Sequence, residues 1–391
     1  MTLAATETYH VKTLKGLEPL LAKELETLGA ERIEAVNRGV TFQGGRALMY
    51  RVNLASRLAL RVLLPLTRFE ASDTDQLYRK VKQFDWSRYL DYKMTFAIDP
   101  VVHSPHFRNS HFVALKVKDA IADRFMEKTS LRPSVNREQP DLLINVHIAG
   151  KWVTVSLDSS GGSLHRRGYR TGQFRAPLNE VLAAGMIMHA GWNGETPFMD
   201  PMCGSGTLVI EAALIAAGIP PGIFRQRYGF EHWKDFDREL MEHVARDLSP
   251  EKEVKVPILG RDVDPEAVAL TRHQLKQMEL DHLVKLEVKD FGDSEDMEGI
   301  TIVMNPPYGE RMQGDDLEML YSMVGSTLKH RFPGSDAWIL SSSSGALKKV
   351  GLRPASRIQL YNGSLECTFA HYKTFPGNWK DYKSLESQSV N

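Results

Sequence analysis

The sequence predicts an α/β protein. Its second half is an open parallel sheet covered by helices on both faces, and two smaller α+β units precede it. From about Ala176 onward, short apolar strands alternate with helical segments, the order typical of a parallel sheet. Before that position the apolar spacing switches between helical and alternating patterns. Residues 142–148 and 151–157 alternate around Ala149 and Gly150, which predicts a hairpin.

The two smaller units are predicted to span residues 1–66 and 67–160. In the first, strands at 32–36, 39–42 and 59–64 and a helix at 46–56 indicate a ferredoxin-like arrangement. An earlier helix ends at Gly29 and carries leucines at helical spacing: Leu17, Leu20, Leu21, Leu25 and Leu28. The second unit has a strand at 94–101, a helix at 110–128 and the hairpin. A linker (161–175), the parallel-sheet domain (176–379) and a polar tail (380–391) complete the division.

The charges divide the chain into a basic and an acidic part. Residues 1–175 contain 27 Lys and Arg against 18 Asp and Glu, a balance of +9, and the remainder has 22 against 31, a balance of −9. A basic part that meets a polyanion explains this asymmetry, and so does ordinary variation in surface charge.

Cysteine usage and the apolar stretches indicate a cytoplasmic protein. Two cysteines, Cys203 and Cys367, exclude a disulfide scaffold and suit a reducing compartment. The first residues do not read as a signal peptide, and no apolar stretch is long enough to span a bilayer. We therefore expect no membrane segment.

A glycine turn after a short apolar strand predicts a ligand site. Strand 197–200 leads through this turn into a helix at 207–217, the geometry of a Rossmann-type site. Glycine lets the backbone turn tightly and approach a ligand, and the helix N-terminus favours an anionic group. No Gly-Lys-Ser/Thr follows, which argues against a P-loop, and a plain loop is the alternative. The residues concerned are Asp200, Pro201, Met202, Cys203, Gly204, Gly206 and Thr207.

Two further strand ends supply acidic residues. Strand 257–262 ends in Asp262, whose carboxylate can accept hydrogen bonds from both hydroxyls of a ribose. Strand 285–288 is followed by Asp290 and Phe291, which can accept from an adenine amino group and pack on its ring. A turn or cap role is the alternative for Asp290. Asp264 is predicted to cap a helix that begins with Pro265.

A fourth strand, 301–304, leads into the motif Asn305-Pro306-Pro307-Tyr308. Two consecutive prolines fix the backbone and remove N–H donors, which leaves the Asn305 side-chain oxygen and the Pro306 carbonyl as neighbouring acceptors. Such acceptors suit an exocyclic amine of a base, because they orient its N–H groups and favour the pyramidal geometry needed for attack on a methyl sulfonium. Tyr308 offers a ring for stacking, worth about 1–3 kcal/mol. The alternative is a rigid strand-ending loop.

The glycine turn and the Asn305 motif resemble the first motif and the catalytic motif of class I S-adenosylmethionine-dependent methyltransferases that modify exocyclic amines. The resemblance implies a Rossmann-like class I methyltransferase sheet, S-adenosylmethionine as cofactor, and residues 305–308 as the holders of the target base. It implies cofactor contacts from Asp200, Pro201, Met202, Gly204, Gly206, Thr207, Asp262, Asp290, Phe291 and Asn305. The histidines are scattered without ligand spacing, so we expect no metal and direct in-line transfer that depends on positioning.

Most of the remaining chain resembles the THUMP-containing RNA methyltransferases. Residues 67–160 are similar to the THUMP domain, which binds structured RNA, and residues 164–170 with 176–180 are similar to the junction that follows it. Residues 219–233 resemble an insertion in bacterial large-subunit rRNA guanine-N2 methyltransferases. The resemblance implies guanine N2 in 23S rRNA, free or in a pre-50S particle, as substrate. One subgroup carries a second methyltransferase domain, whereas this chain stops after one, so only the N2 activity is expected.

Basic residues beside aromatic ones are the candidates for RNA contact. They are Arg108, Lys116, Lys118, Arg166, Arg167, Tyr169 and Arg170. The last four, with Phe174, favour contact with RNA or with the cofactor pocket, and a solvated linker is the alternative. The first three suit an ordinary solvated surface equally well. The charged helix at 237–248 is interpreted as a solvated face.

Four other functions stay open at this point. They are a tRNA guanine-N2 methyltransferase, a DNA adenine-N6 methyltransferase that shares the Asn-Pro-Pro-Tyr motif, a nicotinamide dehydrogenase built on the glycine turn, and an RNA-binding or assembly factor without enzymatic activity. The basic first part argues against the DNA enzyme. The sequence indicates no required protein partner.

Overall fold

The computed structural model describes residues 6–170, 177–248, 252–307 and 314–375, which form two compact units. The first unit contains the described residues up to Thr13, Leu21–Arg166 and Arg225–Leu248. The second contains Leu14–Leu20, Arg167–Phe224 and the described residues from 252 onward. The tail predicted at 380–391 and part of the predicted linker therefore lie outside the described residues.

The elements of the described residues follow in chain order. The strands are β1 (Glu7–Lys12), β2 (Glu31–Val36), β3 (Gly39–Gly44), β4 (Arg61–Glu70), β5 (Thr95–His103), β6 (Ser134–Val135), β7 (Leu142–Ala149), β8 (Trp152–Asp158), β9 (Phe198–Asp200), β10 (Ile258–Asp262), β11 (Val284–Val288), β12 (Thr301–Met304), β13 (Asp336–Ser341), β14 (Ser356–Asn362) and β15 (Leu365–Lys373). The α-helices are α1 (Glu18–Thr27), α2 (Arg46–Ala55), α3 (Thr74–Gln83), α4 (Ser110–Thr129), α5 (Glu180–His189), α6 (Thr207–Ala216), α7 (Arg238–Asp247), α8 (Pro265–Gln277), α9 (Asp315–Arg331) and α10 (Ser344–Lys349).

One eight-stranded sheet, ordered β2-β3-β1-β4-β8-β7-β5-β6, runs through the first unit. Its beginning, β1 to β4 with α1 and α2, has the βαββαβ order of the predicted ferredoxin-like arrangement. Strand β4 pairs with β1 on one side and with β8 on the other, so the sheet continues into the second α+β part. Strand β4 also spans positions 66 and 67, where the sequence analysis places a boundary. The domain limits themselves stay predictions.

Local signals explain most elements of the first unit. Helix α4 begins after Asn109, whose side chain accepts from the Phe112 N–H, and its buried face carries Val113, Val117, Ala120, Ile121 and Phe125. Strand β1 and helix α3 are absent from the sequence analysis. In β1 only Tyr9 and Val11 are buried. In α3 only Leu77 and Val81 are buried, so each of these two short elements buries only two side chains.

The second unit is built on a seven-stranded sheet ordered β11-β10-β9-β12-β13-β15-β14. Strands β9 to β13 are parallel, as predicted. The fully parallel sheet expected from the sequence is wrong at one edge, because β15 runs antiparallel to both β13 and β14. The chain builds outward from β9 to β11 and then returns to the other side of β9 with β12. A loop from each side meets at this reversal of strand order, where ligands of such sheets bind.

Residues 225–233, the greater part of the insertion expected at 219–233, are part of the first unit together with helix α7. Helix α7 buries Val244 and exposes most of its charged residues. Within the described ranges, the structure contains no helix that combines the length and the apolar character needed to cross a membrane.

Candidate active site

The two predicted loops leave neighbouring strands at the same edge of the second sheet. Strands β9 and β12 are parallel, with Phe198 opposite Thr301 and Met199 opposite Ile302. The turn after Asp200 and the segment that begins at Asn305 therefore lie side by side at the carboxyl ends of adjacent strands. The arrangement gathers residues 200–206 and 305–307 into one site, whereas Tyr308 lies outside the described residues.

The glycine turn after β9 is fixed by backbone and side-chain hydrogen bonds. The Gly204 N–H donates to Asp262 Oδ2 over 2.8 Å, and Thr271 Oγ1 donates to the Gly204 carbonyl over 3.0 Å. Gly206 has φ of +79°, and a Cβ atom there would lie 2.3 Å from Thr271 Cγ2. The turn therefore requires glycine both for its backbone conformation and for its contact with α8.

Asp262 ends β10 as predicted and keeps acceptor capacity. Besides the bond from Gly204, its Oδ1 accepts from the Asp264 N–H over 3.0 Å. A carboxylate offers about four lone-pair positions, so both oxygens can still accept from the hydroxyls of a ribose. Asp264 caps α8, whose first residue is Pro265, as predicted.

Burial dominates the electrostatics of the turn. It raises the pKa of Asp200 well above the usual range, and the nearby charge of Asp262 raises it further. The Met202 N–H, which donates to Asp200 Oδ1 over 3.2 Å, acts in the opposite direction. Burial also raises the pKa of the Cys203 thiol, so this cysteine is not an activated nucleophile. Pro201 and Thr207 are buried, and Met202 and Gly204 are half-buried.

Among the described residues of the motif, 305–307, Asn305 has a side-chain acceptor without a partner. The side chain is half-buried, and its Oδ1 is inaccessible to solvent and receives no hydrogen bond from any described residue. An unsatisfied buried acceptor costs about 1–3 kcal/mol unless a donor reaches it. Pro306 is buried and Pro307 half-buried, and neither has an N–H to offer. The site therefore contains a buried acceptor that no described residue satisfies.

The structure corrects the role expected for Phe291. Its ring is 2% exposed and stacks on Phe332, with ring centroids 5.4 Å apart, inside the core of the second unit. It therefore has almost no surface left to pack on an adenine. Asp290 is exposed and caps a short 3-10 helix, accepting from the Gly292 N–H over 2.7 Å. This hydrogen bond matches the alternative role of Asp290 as a cap residue. It leaves the second carboxylate oxygen of Asp290 available.

Two exposed valines are candidates that the sequence analysis missed. Val263, directly after Asp262, is 62% exposed, and Val288, opposite Asp262 in β11, is 56% exposed. Because both lie next to Asp262, the candidate acceptor for a ribose, they are candidates to pack on an adenine ring. The aliphatic residue between Asp262 and Asp264 was the available signal in the sequence.

Residues 167–371 match the family model described as "RMKL-like, methyltransferase domain". The chain belongs to this family. Residues 71–158 match the THUMP domain, and residues 8–63 match the RlmL ferredoxin-like domain, so both predicted N-terminal units are confirmed in kind. The predicted class I methyltransferase sheet is confirmed by the family and by the strand order.

Similar proteins are methyltransferases by name. A "Putative RNA methyltransferase" of Synechocystis is 39% identical over 95% of this chain and 98% of its own length. A "Ribosomal RNA large subunit methyltransferase K/L" of Methylococcus capsulatus is 42% identical over 93% of this chain and 50% of its own length. The chain thus spans about half the length of the K/L relatives.

A solved structure agrees with these relatives. The protein SMU.472, described as "a putative methyltransferase complexed with SAH", superimposes with a TM-score of 0.86 at 28% identity and covers 96% of this chain and 100% of its own. The fold and the SAH held by that relative indicate S-adenosylmethionine as the cofactor, as predicted. Asp262, the glycine turn and the exposed valines are the residues here that fit it. Among the described residues, no cluster of three or more His, Cys, Asp or Glu could hold a metal ion.

In this RMKL-like chain, the candidate RNA-contact residues from position 166 onward differ in their exposure. Arg166 is exposed. The side chains of Arg167 and Glu211 are 1% and 0% exposed and form an ion pair with Nε 3.2 Å from Oε1. Tyr169 is 3% exposed. RNA contact by Arg167 and Tyr169 is therefore wrong, because neither side chain reaches the surface.

The Arg170 guanidinium contacts the start of helix α6, which follows the glycine turn. Its guanidinium pairs with Glu180 and donates to Thr207 Oγ1 over 3.0 Å and to the Leu178 carbonyl over 2.7 Å. Because Thr207 is the first residue of α6, Arg170 supports the end of the glycine turn. This geometry does not favour RNA contact by Arg170. It favours the alternative, a contact with the cofactor pocket.

The three earlier candidates lie at the start of α4 in the first unit. Arg108 is exposed, and Lys116 and Lys118 are half-buried. Lys116 Nζ lies over the ring of Phe112, 5.6 Å from its centroid, and Lys118 Nζ lies 2.7 Å from Asp119. Arg108 is exposed and the two lysines are partly exposed, and RNA contact by these three residues stays a prediction.

Proposed function

We propose that this chain methylates the exocyclic N2 amine of a guanine in 23S rRNA, either free or in an assembling pre-50S particle, in the cytoplasm. The proposal gives the catalytic role to residues 305–308 and the cofactor role to the turn at 200–207 with Asp262, Asp290 and the exposed valines. Its three parts, the amine, the RNA and the ribosomal source, are supported by different observations.

The unpartnered Asn305 oxygen carries the choice of an amine. It lies at the end of β12, beside the glycine turn that follows β9. An exocyclic amine carries two N–H donors, and Asn305 Oδ1 with the Pro306 carbonyl supplies two acceptors on a backbone that proline holds rigid. A hydroxyl or a ring carbon would use at most one of them.

The residues of the site act mainly by positioning. S-adenosylmethionine, when bound, supplies an electrophilic methyl group. Asn305 and Pro306 hold the amine so that its lone pair points away from the two acceptors, and the nitrogen needs no prior deprotonation because it becomes acidic only once it is alkylated. Holding two reactants in attack geometry supplies about 7–11 kcal/mol of barrier reduction in favourable cases. A base that lies inside a helix would have to flip out to reach this site.

The choice of ribosomal RNA is supported by the THUMP match and by the names of the relatives. Residues 71–158 match a domain that the resemblance identifies as RNA-binding, and several relatives are named as large-subunit rRNA methyltransferases. Guanine N2, as opposed to adenine N6, is supported by the resemblance to the guanine-N2 enzymes, since two acceptors suit either amine.

Labelling total RNA from cells that lack the protein tests this proposal. Purified chain and radiolabelled S-adenosylmethionine are added, the RNA is separated by size, and the modified nucleoside is identified by mass spectrometry. We expect N2-methylguanosine in 23S rRNA, and RNA from cells that contain the protein should accept little label. Label in tRNA, or label as N6-methyladenosine, would contradict the substrate proposed. Chain with Asn305→Ala is the matched control for contaminating activity.

A further inference from the structure

The residue directly before Asp262 is Arg261, an arginine buried in the second unit. It lies in β10 and is 3% exposed. Its main-chain carbonyl accepts from the Cys203 N–H over 2.8 Å, so Arg261 also contacts the glycine turn. A guanidinium stays charged in proteins and loses its hydration on burial, which costs free energy unless its donors are satisfied. The hydrogen bonds of Arg261 therefore show which segments of the chain depend on it.

Three side chains accept hydrogen bonds from the Arg261 guanidinium. Its Nε donates to Glu287 Oε2 over 2.7 Å. Its Nη1 donates to Ser294 Oγ over 3.2 Å, and its Nη2 donates to Glu295 Oε2 over 3.0 Å. Glu287 lies opposite Arg261 in β11, whereas the other two acceptors belong to the segment 290–295 that follows this strand. Because the guanidinium has donors on three nitrogens in a rigid plane, one side chain fixes this segment relative to both strands.

The hydrogen bonds of this segment continue to the residue beside Asp290. Ser294 Oγ, which accepts from Arg261, donates to the Phe291 carbonyl over 2.7 Å. On the other side of Asp290, the Lys289 N–H donates to a main-chain carbonyl of β10 over 3.0 Å. The chain is therefore held before Asp290 by the main chain of β10 and after it by the Arg261 side chain acting through Ser294.

Asp290 depends on such support because its side chain is exposed. Its Oδ1 accepts from the Gly292 N–H over 2.7 Å, but Gly292 belongs to the same segment and moves with it. A shift of about 1 Å takes an N–H···O contact out of hydrogen-bonding range. Fixing the segment before the ligand binds also lowers the entropic cost of binding. A carboxylate at this position therefore recognises an amino group only if the segment is held in place.

We propose that Arg261 is a positioning residue through which this chain selects the adenine of its cofactor. It holds the segment 290–295 through Ser294 and Glu295, so that Asp290 accepts from the adenine amino group. Arg261 itself does not contact the cofactor, because its side chain is 4% exposed and directed to its three acceptors. The adenine contact of Asp290 rests on the proposed function, whereas the link from Arg261 to the segment rests on the hydrogen bonds.

Titration calorimetry of the full chain with two ligands, in the absence of RNA, tests the proposal. S-adenosylhomocysteine carries the amino group, whereas S-inosylhomocysteine has a carbonyl in its place, which cannot donate to a carboxylate. We expect the unmodified chain to bind S-adenosylhomocysteine at least about tenfold more tightly, because a hydrogen bond to a charged group contributes a factor of this size. In Arg261→Met this preference should fall by about threefold or more, within the range in which residues of one hydrogen-bond network couple.

Two further variants accompany Arg261→Met, and thermal melting checks that each one folds. Arg331→Met is the matched control, because Arg331 Nη1 lies 2.9 Å from Asp296 Oδ1 in a surface pair whose side chains are 52% and 71% exposed, just beyond the same segment. It removes a cation without touching the Arg261 network and should keep the preference. Ser294→Ala is a smaller change that breaks the path from Arg261 to the Phe291 carbonyl, and it should lower the preference as well.

The ratio of the two affinities separates positioning from a merely structural role. Equal weakening of both ligands leaves this ratio unchanged. An unchanged ratio in Arg261→Met, or in Ser294→Ala if Arg261→Met does not fold, would overturn the proposal. An equal fall of the ratio in the Arg331→Met control would overturn it too.

Asp290→Ala separates this proposal from the proposed function. If Asp290→Ala keeps the preference for S-adenosylhomocysteine, the adenine contact proposed for Asp290 is wrong, and the role of Arg261 is wrong with it. If Asp290→Ala loses the preference and Arg261→Met retains it, the contact of Asp290 stands and only the positioning by Arg261 is contradicted. Neither result depends on which base of the RNA accepts the methyl group.

Discussion

Replacing Arg167 distinguishes a residue that stabilises the fold from one that binds RNA. The sequence places it in a basic, aromatic segment typical of RNA contact, whereas the structure buries its guanidinium against Glu211. We expect Arg167→Met to lower the free energy of unfolding strongly. Its exposed neighbour offers a matched control, since Arg166→Met removes the same charge and adds the same side chain at the surface.

The magnitude follows from the burial of both partners. The Arg167 and Glu211 side chains are 1% and 0% exposed, and a second contact joins Nη2 to Oε2 over 3.5 Å. Burial acts to lower the pKa of Arg167, but the Glu211 carboxylate raises it overall, so the guanidinium stays charged. Removing one partner of such a pair costs about 3–5 kcal/mol, because the other charge is left buried without compensation. A substitution at an exposed position such as Arg166 costs less than about 0.5 kcal/mol.

Urea unfolding of the full chain, followed by circular dichroism, gives the free energies. We expect Arg167→Met and Glu211→Leu to be destabilised by similar amounts. The double variant should lose less than the sum of the two, because it removes both buried charges. Oligonucleotide binding by folded Arg167→Met, measured well below its melting temperature, should be unchanged. A loss of RNA affinity without a loss of stability would refute this reasoning, as would full additivity of the two single variants.

Three further expectations concern the glycine turn and two buried titratable groups. Gly206→Ala should weaken S-adenosylmethionine binding, measured by calorimetry, more than Gly299→Ala does. Both glycines have left-handed φ, of +79° and +64°, but a Cβ atom at position 299 meets nothing within 4 Å. Equal binding by the two variants would contradict a role of the glycine turn in cofactor binding. Burial lowers the pKa of His10 from 6.5 to about 4, so folding favours the neutral imidazole. The protein should therefore lose about 3 kcal/mol of stability as the pH falls from 6.5 toward 4. His10→Gln should flatten the dependence of the melting temperature on pH in that window, and an unchanged dependence would contradict the assignment. The pKa of Asp200 is raised, so its ionised carboxylate destabilises the fold at pH values above the usual pKa of a carboxyl group. Asp200→Asn should therefore have a higher melting temperature than the unmodified chain at neutral pH, and the difference should vanish in acid. A lower melting temperature of the variant at neutral pH would contradict this expectation.

The elements that position the candidate site could be predicted because their signals are local. Strand β12 has the predicted limits, and α6 ends one residue earlier than predicted. The strand is apolar and is followed by Asn305 and two prolines, and the helix follows Gly206 and ends before Gly218. Nothing beyond a few neighbouring residues is needed to place either element.

The predictions that the structure corrects share a cause of another kind, because each corrected feature depends on a partner distant in the sequence. Arg167 is buried because Glu211, 44 positions later, neutralises it, and Phe291 is buried because Phe332 stacks on it. The antiparallel direction of β15 depends on its pairing with β13. Apolar spacing and motifs carry no record of such pairings, so the sequence predicted the strands and helices around the candidate site more accurately than the neighbours of each side chain.

Turnover and RNA affinity of Asn305→Ala, measured on the same preparation, test the central claim that this residue's side-chain oxygen holds the amine to be methylated. We expect kcat to fall by about 10²–10³-fold, the usual effect of removing one preorganised hydrogen-bonding group from an active site, with RNA affinity nearly unchanged. Asn305→Asp, which keeps an acceptor, should retain more turnover than Asn305→Ala, and Asn193→Ala, on an exposed loop, should behave like the unmodified chain. Equal losses of turnover and RNA affinity in Asn305→Ala, or full turnover, would contradict the claim.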